Sequence, residues 1–132
     1  MIIIYINCAL FPFISWIIKG LKTYETRNRN TLKRFIGKTV YLAETGKGKR
    51  PIIRCSCLIS GSVTITSKAT YNALRKQTRI KKGSYFDWKD DTRQKILYKL
   101  ENVQPCKPFP IPDNAIRHGY TWCEIIQKRR EV

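Results

Sequence analysis

The chain has 132 residues, 42% of them hydrophobic, and carries 26 Lys and Arg against nine Asp and Glu for a net charge of +17. That length fits one domain over residues 1–132 with a real core. The charge disfavours a basic partner and points to a polyanion, RNA first and DNA second, with an anionic membrane surface behind them. Five cysteines, an odd number without a CxxC pair, exclude complete pairing into disulfides, and His118 is the one histidine. Reduced thiols in a cytoplasmic protein are therefore expected, with no metal site and no cofactor.

The apolar run from Met1 to Ile18 is broken by Asn7, Pro12 and Ser15 and lacks a basic leader, so no signal or membrane span is expected from it. Ile2 to Asn7 reads as a buried strand. Pro12 to Lys19 reads as a helix, with Phe13, Trp16 and Ile17 at helical spacing and Gly20 placed to end it. A basic stretch from Arg29 to Gly37 reads as a loop or a single turn. Lys38 to Thr45 is a strand, Gly46 to Lys49 a basic turn, and Pro51 to Thr66 one long strand with a bulge near Ser60-Gly61-Ser62. Ser67 caps a helix running to about Lys76, whose inner face carries Tyr71 and Leu74.

Ile80 to Arg93 is irregular, a lid or surface loop with Tyr85, Phe86 and Trp88 clustered in it. Ile96 to Val103 alternates as a strand does. Pro105 to Pro112 carries four prolines and reads as an irregular extended crossing. Tyr120 to Ile126 is the closing strand and Gln127 to Val132 a charged tail. The sum is an α+β chain: a small barrel of about five to six strands with two or three short flanking helices.

Gly20-Leu21-Lys22-Thr23-Tyr24-Glu25-Thr26-Arg27 is the stretch richest in chemistry. In an extended run Lys22, Tyr24 and Thr26 share one face and Thr23, Glu25 and Arg27 the other. Exposed on both sides, this is an ordinary surface salt-bridge cluster of little energetic consequence. Lining a cleft, Glu25 is a fixed acceptor and Arg27 a fixed bidentate donor, with Lys22 close at the turn, a set suited to a polar, phosphate-bearing ligand. Trp16, Tyr24 and Trp88 are the candidate stacking aromatics, with core packing as the alternative for each. No acid stands between Glu44 and Asp87. Lys47, Lys49, Arg50, Arg75, Lys76, Arg79, Lys81 and Lys82 from that stretch are read as a nucleic-acid surface. His118, in a polar stretch after the prolines, is read as ordering its loop rather than as an acid catalyst.

Gly20, Lys22, Glu25 and Arg27 behind an apolar helix form G-x-K-x-x-E-x-R. A basic linker, Gly37 to Leu42, a glycine-rich turn, a long strand and a closing Gly119-Tyr120-Thr121-Trp122 follow in order. On these residues the whole chain resembles the ASCH domain family, a branch of the PUA-like superfamily. The resemblance implies a PUA-like β-barrel, a cleft beside the motif, and RNA or a modified nucleoside as ligand, contacted by Lys22, Thr23, Tyr24, Glu25, Arg27, Trp16 and Trp88. It implies as an alternative a metal-independent RNA-processing enzyme, a ribonuclease or modified-nucleoside amidohydrolase, with Lys22, Glu25 and Arg27 catalytic. Of the amidohydrolase's lysine, threonine and glutamate, only the lysine is matched, by Lys22. The threonine position holds Glu25, and Ser67 to Gln77 has no acid.

Overall fold

Ile2–Asn7 is uninterruptedly apolar up to its last residue because both of its faces are covered. Ile4 and Ile6 point into the larger core cluster, with Phe13, Ile14, Ile17 and Leu42, while Ile3 and Tyr5 join a smaller one with Ala43, Ile53, Ile111 and Cys123. The computed structural model describes residues 1–126, so the charged tail read over 127–132 lies outside the described residues. This first strand, β1, pairs in parallel with β3 (Thr39–Thr45) and antiparallel with β7 (Trp122–Glu124). β4 (Ile52–Ile65) lies between β3 and β5 (Lys95–Pro110), β2 (Tyr24–Arg27) adds to β5, and β6 (Ile116–His118) adds to β7. The result is one seven-stranded mixed sheet in the order β2-β5-β4-β3-β1-β7-β6. Three short helices accompany it: α1 (Phe13–Ile18), α2 (Lys68–Ala73) and α3 (Arg75–Thr78), with a 3-10 turn at Lys33–Phe35.

Four expectations need correction. The sheet has seven strands rather than five or six, and among the described residues its end strands β2 and β6 do not pair, so it curls without closing into a barrel. Pairing of β7 to β1 spans Ile2 to Ile4. Just past it, the Tyr5 N–H donates to the Thr121 carbonyl at 3.0 Å, and the Arg27 guanidinium donates from Nη2 to the Tyr5 carbonyl at 2.9 Å, a side-chain bridge from β2 to β1. The added strand, β6, is three residues long and turns into β7 through Gly119 at φ +63°, too short for alternation to reveal it.

The proline run is strand after all. β5 continues to Pro110, with Pro105 opposite Cys55 and Pro110 opposite Ile52. β2 covers β5 only from Ile96 to Lys99, so beyond that point β5 is paired on one side alone, the edge setting in which a missing N–H is tolerated. Register shifts relieve the rest, one of them beside Asn102, whose φ of +53° suits asparagine better than most residues. The bulge expected near Gly61 is present between Ile59 and Gly61. The helix after Ser67 is two: Ser67 Oγ accepts from the Thr70 N–H at 3.2 Å as a cap, and the chain breaks step at Leu74.

No helix among the described residues is long and apolar enough to cross a membrane. Cys8, Cys55, Cys57 and Cys123 are buried free thiols and Cys106 a half-buried one.

Candidate functional site

The motif begins as a helix terminus. The Gly20 N–H donates to the Ile17 carbonyl at 3.0 Å and the Leu21 N–H to that of Trp16 at 2.8 Å, the paired bonds of a Schellman ending, with Gly20 at φ +74°. This turn drives Lys22 inward rather than along the alternation of β2. Its side chain has no exposed surface. The ammonium donates to the Thr78 carbonyl at 2.7 Å, lies 4.8 Å from the Phe13 ring centroid and 4.0 Å from Glu25 Oε1. Burial pushes the Lys22 pKa down to about 8, with Glu25 opposing the shift and Arg27 adding to it.

Glu25 stands between two cations. Its Oε1 accepts the Thr26 N–H at 2.9 Å, and its Oε2 lies 3.6 Å from Arg27 Nη2. The residue is 8% exposed. The carboxylate is thus fixed from below by Lys22 and from the side by Arg27, which is itself anchored on β1.

Glu25, Thr26, Arg27 and Asn28 form one wall of a cavity of about 900 Å³. Tyr5 and Ile6 of β1, Phe13 of α1, Tyr85, Phe86, Asp87 and Lys89 of the irregular segment, and Lys95, Ile111, Arg117 and Tyr120 line it as well. The lining charges are Arg27, Arg50, Lys89, Lys95 and Arg117 against Glu25, Asp87, Asp91 and Asp113. Several are already engaged. Arg50 pairs with Asp113. Asp87 accepts from the Gly83 and Trp88 N–H groups, each at 2.7 Å, and from Arg75 Nη2 at 2.8 Å. Burial alone would raise its pKa, but these donors outweigh it and hold the carboxyl below the ordinary range. Arg117 lies 5.6 Å from the Tyr5 ring and 5.2 Å from that of Tyr120.

The residues singled out from sequence separate into groups. Glu25 and Arg27 line the cavity together, while Lys22 lies behind Glu25 and does not reach it. Thr23 works through its backbone, donating to the Gln77 carbonyl and accepting from Leu100. Tyr24 lies half-buried on β2 opposite Lys99. Trp16 packs on Phe11 and Phe13, and Trp88 on Tyr71 with ring centroids 5.6 Å apart. None of these last three lines the cavity. The stacking surfaces available there are Tyr5, Phe13, Tyr85, Phe86 and Tyr120. Tyr5 looked like core in an apolar strand, whereas Tyr85 and Phe86 were marked by the aromatic cluster in a segment without periodicity.

Of the eight basic positions, Lys47, Lys49, Lys76, Lys81 and Lys82 are exposed, and Arg50 is exposed at the cavity rim. Arg75 and Arg79 are not surface cations of this kind. Arg75 is spent on Asp87, Asn72 and the Ile80 carbonyl, and Arg79 donates to the Leu21 carbonyl at 2.9 Å. His118 bonds to Glu124 at 2.9 Å and stacks on Trp122, a loop-ordering role. Glu44 accepts from Arg54 Nη1 at 3.0 Å. Lys95 was missed: a lysine opening a strand looks like an edge charge, and only the fold shows it to be 5% exposed.

A curled mixed sheet with short helices on it and a charged helix-to-strand motif lining its cavity makes a mixed α+β fold. No family model matches the chain, and no curated protein does. Solved structures do match it. The ASCH protein from Zymomonas mobilis superposes with a TM-score of 0.65 at 20% identity, over 83% of this chain and 73% of that one. A tyrosine-to-phenylalanine variant of that protein gives the same score and identity over 83% and 76%, and a serine-to-alanine variant over 82% and 73%. The chain therefore has the ASCH-domain fold, and the resemblance carried by the motif holds at the level of the fold.

Proposed function

We propose that the protein binds RNA or a modified nucleoside in the cavity beside the motif. The observation that carries this reading is the fixed Glu25–Arg27 pair in an aromatic-lined cavity of about 900 Å³. That volume is in the range of small-molecule sites, large enough for a nucleoside with its phosphate. Glu25 accepts from an exocyclic amine or a ribose hydroxyl, Arg27 donates to a base edge or phosphate, and Tyr5, Phe86 or Tyr120 stacks on the base. The +17 charge supplies salt-dependent attraction to the rest of the polymer.

Titrating labelled single-stranded and hairpin RNA at two salt concentrations tests this, with a gel to check for cleavage. Binding that falls steeply with salt and weakens in Glu25→Gln with the RNA left intact supports the reader. Binding that is absent at low salt removes RNA as partner. One observation favours a second reading as a metal-independent RNA-processing enzyme. Lys22, with its pKa brought down to about 8, lies 4.0 Å from a carboxylate that lines the cavity, a pair suited to proton transfer. In that case Glu25→Gln loses cleavage while retaining RNA affinity.

A further inference from the structure

Lys95 opens β5, lines the cavity and is 5% exposed. An ammonium has three N–H donors and, buried, requires acceptors or a counter-charge. Lys95 Nζ donates to Asn28 Oδ1 at 2.7 Å and to the Phe86 carbonyl at 3.2 Å, both neutral acceptors. Among the described residues no carboxylate lies within ion-pair distance of it. Asp87, the acid whose charge acts on it, already accepts from two backbone N–H groups and Arg75. Burial holds the Lys95 ammonium below the ordinary lysine range, with Asp87 opposing and Lys89 adding to the shift. Lys89 lines the same cavity, its Nζ 4.9 Å from the Tyr85 ring. One donor of a buried cation is therefore left over, beside a second cation, in a space open to a ligand.

We propose that Lys95, with Lys89 beside it, is a phosphate subsite. The ligand of the cavity is then a phosphorylated nucleotide, as a free phosphomonoester or as a phosphodiester within a chain, rather than a bare nucleoside. This rests on the nucleoside reading above for the rest of the ligand. Phosphate supplies both the missing acceptor and the missing charge, and a charge-assisted bond formed out of water is the strong kind. The Asn28 and Phe86 contacts hold the ammonium, one from just past the end of β2 and one from the irregular segment.

The test compares four probes by calorimetry on the wild type and on Lys95→Gln: a nucleoside, its 5′-monophosphate, a dinucleotide and inorganic phosphate. Glutamine keeps a donor for Asn28 and Phe86 and removes the charge, and the melting temperature checks that the fold survives. The wild type is expected to prefer the monophosphate, the dinucleotide or both over the nucleoside by about tenfold or more. Lys95→Gln is expected to lose that preference with nucleoside affinity unchanged. Which phosphorylated probe wins decides between monoester and diester. Equal binding of all three by the wild type, or a preference that persists in Lys95→Gln, overturns the subsite and leaves the nucleoside reading standing. Inorganic phosphate bound by the wild type and not by Lys95→Gln, with no nucleoside-containing probe bound, upholds the subsite and overturns the nucleoside reading. Binding of none of the four overturns both.

Discussion

Replacing Lys22 by methionine has an effect whose sign changes with pH, and the structure gives its size. Folding takes the Lys22 ammonium fully out of water and lowers its pKa from 10.5 to about 8. Between those values the unfolded chain holds a proton that the folded chain has released, so stability rises with pH across that window. At about 1.4 kcal/mol per pKa unit the rise is on the order of 3 kcal/mol. Seven other groups act the opposite way. Burial pushes Cys55, Cys57, Tyr5 and Tyr71 up to about 12 and also raises Cys8, Cys123 and Tyr98, so they hold protons in the fold that the unfolded chain loses from pH 9 upward. Lys95, lowered by burial, acts in the same direction as Lys22. Total stability therefore does not isolate Lys22, but its difference between wild type and Lys22→Met does, because both chains carry all of these other groups.

Near pH 7 that difference is small. The variant escapes the cost of burying a charge, while the Thr78 carbonyl loses its donor and Glu25 one of its cations, a penalty of about 1–3 kcal/mol. Urea unfolding of both proteins from pH 7 to 10.5 is expected to show the wild type gaining about 3 kcal/mol on the variant across the window. A flat profile for Lys22→Met would refute the buried ammonium, and with it the account of how Glu25 is held.

Three further outcomes follow from the same geometry. Gly20→Ala places a Cβ on a residue at φ +74° with no steric neighbour, so chemical denaturation should show a loss of about 1–2 kcal/mol from backbone strain alone, and no loss would remove the Schellman assignment. Ile4→Asp puts an unpaired charge at a position 1% exposed, and the far-UV spectrum and thermal melt should show no cooperative native state. Asp87→Asn should cost about 1–3 kcal/mol at pH 7, since Asp87 gathers Gly83, Trp88 and Arg75 around itself. Because the Asp87 pKa is held down in the fold, its contribution is present above pH 3.8 and lost as pH falls below it, so the acid limb of the stability curve should be shallower in the variant.

What could be read from the sequence follows from how local each signal is. β1, α1, β3 and the bulged β4 announce themselves through composition and period, and Ser67 and Gly20 through the conformations they favour. The proline run misled because a proline's cost depends on whether its strand is covered on both sides, which is a property of β2 and β5 together. The motif was legible as a cluster but not in its depth. Strand alternation puts Lys22 and Glu25 on opposite faces, whereas the helix-ending turn at Gly20 places them on one side of the core. Lys95 and Tyr5 carried no local mark at all, since the cavity that makes them notable is assembled from β1, β2, β5 and two distant loops.

The spacing G-x-K-x-x-E-x-R is then a folding device, whatever the cavity beside it binds. Gly20 ends the helix, Lys22 closes the core beneath the strand, and Arg27 ties β2 to the Tyr5 carbonyl of β1. Little of the motif is left over for a ligand: part of the Glu25 carboxylate and the remaining N–H groups of Arg27. Changes to the motif should therefore damage the cavity as a whole, whatever it binds. Discrimination among ligands falls to the walls, to Phe86, Lys95, Arg117 and Tyr120, which the motif neither specifies nor constrains. Two chains sharing this motif and fold can accordingly accept different ligands. Under the proposed function the chemistry of these walls is where a ligand is to be sought, and there the buried Lys95 ammonium stands out for having, among the described residues, only neutral side-chain and backbone acceptors.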